Sequence, residues 1–229
     1  MTWFKEYQLF LFDFDGLLVD TEKLHYQAYI TTCANRGFDL NWTFSRYSLA
    51  AHHKATALRD EIYKELPELY LQEPEWKVIY AEKQACLLNI LSSNPIPLMP
   101  GVKELLEKLQ ESNQQRCVVT HSPRHVIEMI RNKNPILNSI PHWITREDYT
   151  HPKPSPECYL YAIKKFAKPT DRIIGFEDSP RGLNALMQTE AQAVLICPPE
   201  SDYISQILQN NPSVKYFPNF NAIDSTVLS

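Results

Sequence analysis

Glycine is scarce in this sequence, with 5 glycines among 229 residues. Average usage is about 7% of residues. The scarcity argues against a flexible, low-complexity protein. It also predicts that each glycine occupies a position where the backbone geometry requires one. The five positions are Gly16, Gly37, Gly101, Gly175 and Gly182.

The cysteines lack any paired spacing. They are odd in number and scattered, and no two form a C-x-x-C pair. This pattern argues against a disulfide framework and against a zinc knuckle. We therefore expect reduced thiols in a cytoplasmic protein. The five positions are Cys33, Cys86, Cys117, Cys158 and Cys197.

Long apolar segments and an excess of basic residues are missing as well. No stretch is long enough to cross a bilayer, and the first apolar run is too short for a signal peptide and is broken by Asp13 and Asp15. The net charge of −4 argues against general affinity for nucleic acids or acidic membranes. A small anionic substrate stays compatible with this charge, since a metal ion, a lysine and backbone N–H groups reverse its sign locally.

The type of predicted element changes twice along the chain. The apolar run Leu9–Phe12 predicts a buried strand, and only helical patterns follow it up to about residue 94. The proline-rich segment 94–101 predicts a linker, and strands alternate with helices beyond it. Such alternation, with continuous apolar strands, is typical of a parallel sheet covered on both faces. We predict a doubly wound, Rossmann-like α/β core over residues 1–18 and 94–229, with an all-helical domain inserted over residues 19–93.

The predicted boundaries follow from apolar periodicity and from helix start and stop signals. Further strands are expected at 117–120, 143–145, 172–176 and 193–196. Helices are expected at 22–36, 55–65, 102–111, 124–132, 156–166, 181–189 and 201–209. Another helix begins near Pro74, with Trp76, Ile79, Tyr80 and Leu91 on one stripe. The last ten residues are expected to be loosely ordered.

The tetrapeptide Asp13-Phe14-Asp15-Gly16 follows the first predicted strand directly. In an open α/β sheet, ligands bind outside the carboxyl ends of the strands. Two carboxylates this close repel each other unless a cation or a shared proton compensates. The pair therefore indicates a hard divalent metal, an acid/base couple, or both. A purely structural alternative is that Asp13 caps a turn and Asp15 starts a helix.

Two more motifs follow predicted strands. In Thr120-His121-Ser122, the hydroxyls and free backbone N–H groups suit a phosphate oxygen, although an ordinary helix cap has the same composition. Lys153 lies between Pro152 and Pro154, which restrict the loop. A fixed ammonium group neutralises both a carboxylate and an attached phosphoryl group; the alternative is a solvent-exposed lysine in a turn.

A second acidic pair, Glu177-Asp178, follows the strand predicted at 172–176. Acids also favour helix N-termini, which is the structural alternative. Together with Asp13 and Asp15, however, the pair makes four carboxylates at one sheet edge. Magnesium prefers octahedral oxygen coordination with one or two carboxylates. The combination with a fixed lysine and a hydroxyl predicts metal-assisted phosphoryl transfer with a carboxylate nucleophile.

These motifs, in this order and spacing, resemble the four motifs of the haloacid dehalogenase-like (HAD) hydrolases. The matching residues extend from Asp13-Phe14-Asp15-Gly16 and Asp20-Thr21-Glu22, through Thr120 and Lys153-Pro154, to Gly175–Ser179. Within that superfamily the chain is similar to the branch that contains β-phosphoglucomutase and small sugar-phosphate phosphatases. Members of this branch carry an all-helical cap domain between the first and second motifs, which corresponds to residues 19–93 here.

The resemblance implies a catalytic role for each matching residue. Asp13 is expected to be the nucleophile that forms an aspartyl-phosphate. Asp15 is expected to be the general acid for the leaving oxygen and then the base that activates water or a second hydroxyl. Thr120 is expected to hydrogen-bond the phosphoryl oxygen, and Lys153 to bind that oxygen together with Asp13.

The resemblance also implies a magnesium ion. Its expected ligands are the Asp13 carboxylate, the Asp15 backbone carbonyl and Asp178, with Glu177 binding directly or through water. Aspartate at both positions of the first motif favours phosphate chemistry, because dehalogenases of the superfamily lack the second aspartate.

Candidate substrate-binding residues are His25, Lys54, His121, Ser122 and Arg124. His25 matches a histidine that recurs in the sugar-phosphate branch, with a buried structural histidine as the alternative. His52-His53-Lys54 is expected in a loop of the cap, and solvent exposure alone would explain these residues. Arg124 either reaches a second anionic group or faces water.

We expect a phosphatase that acts as a monomer on a small phosphorylated metabolite, with a sugar phosphate favoured. The alternative is a phosphomutase, but mutases of the branch carry a glycine and usually an arginine near position 54, where Lys54 is only a possible substitute. His121 is also bulkier than the residue often found there in the mutase. A receiver-type signalling domain would need fewer residues and no helical insertion, and an inactive HAD-like binding protein would not need Asp13, Asp15, Lys153 and Asp178 intact.

Overall fold

The computed structural model describes residues 3–53, 56–201 and 203–223, without the side chains of His52 and His53. The chain forms two compact units. The first contains the described residues up to Asp20 and from Pro97 onward, and the second is Thr21–Ile96. No helix within the described residues is long and apolar enough to cross a lipid bilayer.

The first unit is built on a six-stranded sheet whose strand pairs are all parallel. The spatial order is β3-β2-β1-β4-β5-β6, so the chain changes direction across the sheet between β1 and β4. This arrangement confirms the predicted Rossmann-like fold class. The strands are β1 (Leu9–Phe12), β2 (Gln115–Val119), β3 (His142–Ile144), β4 (Ile173–Glu177), β5 (Gln192–Ile196) and β6 (Lys215–Phe217).

The described residues form ten α-helices, five in each unit. In the second unit they are α1 (Glu22–Asn35), α2 (Phe44–His53), α3 (Ala57–Glu65), α4 (Pro67–Gln72) and α5 (Trp76–Ser93). In the first unit they are α6 (Val102–Glu111), α7 (Arg124–Lys133), α8 (Glu157–Phe166), α9 (Pro180–Met187) and α10 (Ile204–Asn210).

The sheet is buried on both faces, which explains its continuous apolar strands. All four residues of β1 are fully buried. Leu9 and Leu11 belong to a core cluster with residues of α8 and α9. On the other face the Phe12 ring stacks on Phe176 at 5.2 Å between ring centroids.

The second unit has its own core, in which α1 and α5 are packed together with aromatic residues such as Tyr29 and Trp42. The buried positions of α5 recur every four residues, which places them on one helix face. They are Ile79, Lys83, Leu87 and Leu91. Tyr80, predicted on the same helical stripe as Ile79 and Leu91, is 43% exposed.

Several local predictions were wrong. His52 and His53 end α2, where a loop was expected. The short helix α4 lies between the helices expected at 55–65 and from near Pro74, and it begins at Pro67 because proline is favoured in the first helical turn. The strand β6 was missed, since its three residues include Lys215 and form no apolar run.

Candidate active site

The carboxyl ends of β1, β2 and β4 place the motif residues at one edge of the sheet. Asp13 follows β1 directly, and its N–H donates to the Phe176 carbonyl oxygen at 3.0 Å. Glu177 is the last residue of β4. Gly16 has φ +80°, a left-handed conformation that only glycine adopts at little cost. The chain therefore turns back immediately after the two aspartates.

Lys153 is the centre of the charged cluster. It is 3% exposed, and its Nζ donates to Asp13 Oδ1 at 2.5 Å and to Glu177 Oε1 at 2.6 Å. Nζ also contacts the Val119 carbonyl oxygen at 2.9 Å and the Tyr159 hydroxyl at 3.1 Å. Burial by itself lowers the pKa of Lys153, but the charges of Asp13 and Glu177 outweigh burial and hold this pKa well above its ordinary value. The lysine is a fixed cation, so a solvent-exposed lysine in a turn is the wrong interpretation.

The two carboxylates that Lys153 joins are affected by burial in the same direction. Burial raises the pKa of Asp13, and the charge of Lys153 opposes that rise. Burial also raises the pKa of Glu177 to about 7, again against the charge of Lys153. Removing these groups from water favours their neutral forms, so the site needs positive charge to keep both ionised.

Three carboxylates are arranged so that a cation fits between them. Asp13, Glu177 and Asp178 each offer an oxygen, and these oxygens lie within 4.8 Å of one another. Glu177 Oε2 is buried and has no hydrogen-bond partner among the described residues. A hard divalent ion that prefers oxygen ligands suits this donor set.

Asp15 contacts a different partner. Its Oδ2 accepts a hydrogen bond from Ser122 Oγ at 2.5 Å. The Ser122 N–H in turn donates to Thr120 Oγ1 at 2.9 Å, and both Ser122 and Thr120 are buried. Pro123 occupies the N-cap of α7, and the first-turn N–H of Arg124 donates to the Glu147 carboxylate at 3.2 Å, not to Thr120. The helix-cap interpretation of Thr120 is therefore wrong, and the motif holds Asp15 in place.

His121 and Arg124 are occupied by contacts within the protein. The Nδ1 of His121 is hydrogen-bonded to the Tyr149 hydroxyl. Burial, followed by the charges of Lys153 and two arginines, lowers the pKa of His121 to about 3, so the imidazole is neutral near pH 7. Arg124 is exposed, and its guanidinium lies 3.4 Å from the Asp148 carboxylate.

In the second unit, His25 lies beside a buried lysine. The Nζ of Lys83 is 3.0 Å from His25 Nδ1. Burial and the charge of Lys83 lower the pKa of His25 well below its ordinary value. The predicted substrate residue Lys54 lies outside the described residues.

A family model described as haloacid dehalogenase-like hydrolase matches residues 10–196 of the chain. The chain belongs to this family. The family that the motifs indicated is thereby confirmed, and the protein is a HAD-like hydrolase.

Known proteins of similar sequence and structure cover most of the chain. Protein CbbY of Rhodobacter capsulatus is 26% identical over 195 residues, which are 83% of this chain and 85% of CbbY. Hexitol phosphatase B of Escherichia coli strain K12 is 25% identical over 206 residues, 88% of this chain and 86% of that protein. The crystal structure of β-phosphoglucomutase from Clostridium difficile superposes with a TM-score of 0.71 at 21% identity, covering 95% of this chain and 93% of that one.

Two residues of this HAD-like site were not predicted from the sequence. The Tyr159 hydroxyl donates to Glu177 Oε1, although an apolar stripe on a helix indicates only a core residue. Gly182 leaves room for a carboxylate, because a Cβ there would lie 2.0 Å from Glu177 Oε2. The only signal for Gly182 in the sequence is the scarcity of glycine.

Proposed function

We propose that this HAD-like hydrolase is a Mg²⁺-dependent phosphatase that forms an aspartyl-phosphate on Asp13. The observation that carries this proposal is the pairing of Asp13 with buried Lys153 at 2.5 Å, beside a carboxylate cluster that suits a divalent ion. A carboxylate in such a place is an effective nucleophile toward phosphorus, because the adjacent cation offsets the charge that accumulates on the phosphoryl oxygens.

The reaction proceeds in two displacements. An oxygen of Asp13 attacks phosphorus while the bond to the substrate oxygen breaks, and Asp15 gives its proton to that leaving oxygen. Asp15 then removes a proton from water, and the water oxygen attacks phosphorus to release phosphate and free Asp13. The hydrogen bond from Ser122 fixes the orientation of Asp15 in both steps.

Lys153 and Thr120 bind the phosphoryl group in this proposal. The side chains of Asp13, Asp178 and Glu177, with the Asp15 carbonyl, would hold Mg²⁺. When bound, the ion supplies positive charge that stabilises the transferring phosphoryl group. Since Lys153 contacts both Asp13 and Glu177, it links the nucleophile to the metal ligands.

The names of two relatives support a substrate class. The name of hexitol phosphatase B indicates that this relative acts on phosphorylated sugar alcohols. A phosphorylated carbohydrates phosphatase of Thermotoga maritima is 25% identical over 181 residues. We infer a small sugar phosphate or a related metabolite. We prefer phosphatase to phosphomutase because residues 52–54 carry no glycine and no arginine.

The test is phosphate release from a panel of sugar phosphates, polyol phosphates and nucleotides with Mg²⁺ present, checked in the same tubes for sugar-phosphate isomerisation. Steady release that stops with EDTA and returns with added Mg²⁺ supports the proposal. Isomerisation with little release would instead indicate a mutase, and release that persists in EDTA would remove the metal from the mechanism.

The most direct variant is Asp13→Asn. It should lower kcat by more than the roughly 10²–10⁴-fold that loss of acid/base assistance causes, because no covalent intermediate forms. Asp39→Asn, in the helical unit, is the matched control and should retain full activity. Near-native turnover by Asp13→Asn would rule out Asp13 as the nucleophile.

A further inference from the structure

Tyr159 brings a buried hydroxyl into the charged cluster. It lies on α8, is 0% exposed, and belongs to a core cluster with Cys158 and Ala162. Its hydroxyl contacts Lys153 Nζ at 3.1 Å and Glu177 Oε1. Packing alone would be satisfied by phenylalanine. The hydroxyl therefore calls for an explanation in terms of the two charged groups that it contacts.

The direction of both hydrogen bonds follows from the chemistry of the donors. A protonated lysine has N–H donors and no acceptor, so the Tyr159 oxygen accepts from Lys153. The single proton of the hydroxyl is then left for Glu177 Oε1. Since the ordinary pKa of a tyrosine hydroxyl is about 10, the hydroxyl carries this proton at neutral pH and donates it to the carboxylate.

Lys153 has more acceptors than protons. An ammonium group carries three N–H donors, and four oxygens lie within hydrogen-bond distance of Nζ, on Asp13, Val119, Tyr159 and Glu177. These acceptors therefore compete for the lysine. The Tyr159 hydroxyl is a second donor to Glu177 Oε1. Glu177 therefore competes less with Asp13 for the N–H groups of Lys153.

We propose that Tyr159 is a positioning residue: by donating to Glu177, it leaves Lys153 aligned with Asp13 and the transferring phosphoryl group. The proposal rests on the function proposed above for Asp13 and Lys153. Without the hydroxyl, Lys153 shifts toward Glu177, and Asp13 loses part of the contact that orients it. The chemical step should suffer more than substrate binding.

Tyr159→Phe tests this assignment, since it removes the oxygen and keeps the ring. We expect kcat to fall about ten-fold and KM to rise by no more than about five-fold, because the lost interaction orients the nucleophile more than it binds the substrate. In a Glu177→Gln background, Tyr159→Phe should lower kcat by less than two-fold, since Tyr159 acts through Glu177. Tyr161→Phe, on the same helix but 38% exposed, is the matched control and should change neither constant.

The proposal would be overturned if Tyr159→Phe lowered kcat equally in the wild type and in the Glu177→Gln background. It would also be overturned if Tyr159→Phe left kcat unchanged or only raised KM. So would a Tyr159→Phe protein that fails to fold by circular dichroism, since the hydroxyl would then serve stability.

A binding measurement separates this proposal from the proposed function. Calorimetric titration of inorganic phosphate, with Mg²⁺ present, needs no turnover. We expect about five-fold weaker phosphate binding in Tyr159→Phe than in the wild type. If the wild type binds phosphate but releases none from any substrate, the phosphatase function fails while the Tyr159 result still stands. Equal phosphate affinity in the two proteins, or none in the wild type, would overturn the positioning role.

Discussion

Lys153 and Lys83 are both almost completely buried, at 3% and 2% exposure, yet their surroundings differ. Lys153, in the sheet unit, lies between the carboxylates of Asp13 and Glu177. Lys83, in the helical unit, contacts the Nδ1 of His25 at 3.0 Å and lies 5.1 Å from the centre of the Tyr29 ring. The first is held by ion pairs, and the contacts of the second include an imidazole and the faces of the Tyr29 and Tyr80 rings.

Lys153 therefore keeps two buried carboxylates ionised, whereas Lys83 contacts an imidazole and aromatic rings. Asp13 and Glu177 are both buried carboxylates whose pKa values rise on burial. Removing one partner of a buried ion pair leaves an uncompensated charge. Lys83 lies on the buried face of α5 between Ile79 and Leu87. The methylene groups of a buried lysine stabilise a protein by packing, in addition to the effect of its charge.

The largest effect is expected from Lys153→Met. Two buried carboxylates lose their shared cation, so the variant should lose about 3–5 kcal/mol of stability, and kcat should fall at least about 10³-fold because phosphoryl charge is no longer offset. Urea unfolding and phosphate release measure the two effects. Lys164→Met, at an exposed position on α8, is the control. Stability within about 1 kcal/mol of wild type would contradict the role of ion pairing.

A smaller effect is expected from Gly182→Ala. Its Cβ would lie 2.0 Å from Glu177 Oε2, so Glu177 must move away from Lys153. Overpacking of this kind costs about 1–3 kcal/mol, and we expect kcat to fall about 10–100-fold as the pair is disturbed.

Gly175→Ala is the matched comparison for Gly182→Ala. Its Cβ would meet the apolar Leu186 side chain at 2.5 Å, and no atom of Glu177 is among its nearest neighbours. It should lower the melting temperature in thermal scans and change kcat less than Gly182→Ala does. Equal losses of kcat would mean that general distortion, and not displacement of Glu177, is responsible.

The smallest effect is expected from Lys83→Met. The variant loses the hydrogen bond to His25 and the cation–π contacts with Tyr29 and Tyr80, each worth about 1 kcal/mol or less, but methionine refills most of the apolar space. We expect a loss of about 1–2 kcal/mol in urea unfolding. A loss as large as that of Lys153→Met would show that Lys83 also belongs to a charged network and would remove the contrast between the two lysines.

The fold was largely predictable because its strands are continuous apolar segments. β1 is buried at all four positions, so the apolar run Leu9–Phe12 was sufficient to predict a buried strand. Elements without such a signal were missed, as β6 was, where Lys215 and Tyr216 are only partly buried.

The charged residues of the candidate site were predictable from their place in the sequence motifs. Asp13, Lys153, Glu177 and Asp178 come together as their positions after strands indicated, while their catalytic and metal-binding roles stay predictions. The contacts of His121 with Tyr149 and of Arg124 with Asp148 were not predictable. These pairs join segments more than twenty residues apart, and only packing brings them into contact.

The sequence by itself determined the family, the parallel sheet and the edge at which the acidic motifs meet, because apolar runs and motif spacing are local properties of the chain. Only the tertiary structure decided how Lys153 is shared, that Tyr159 contributes a hydroxyl to it, and that Gly182 makes room for Glu177. Hydrogen bonds and close approaches depend on distances between segments remote in sequence, and burial then sets the cost of leaving any of these groups without a partner.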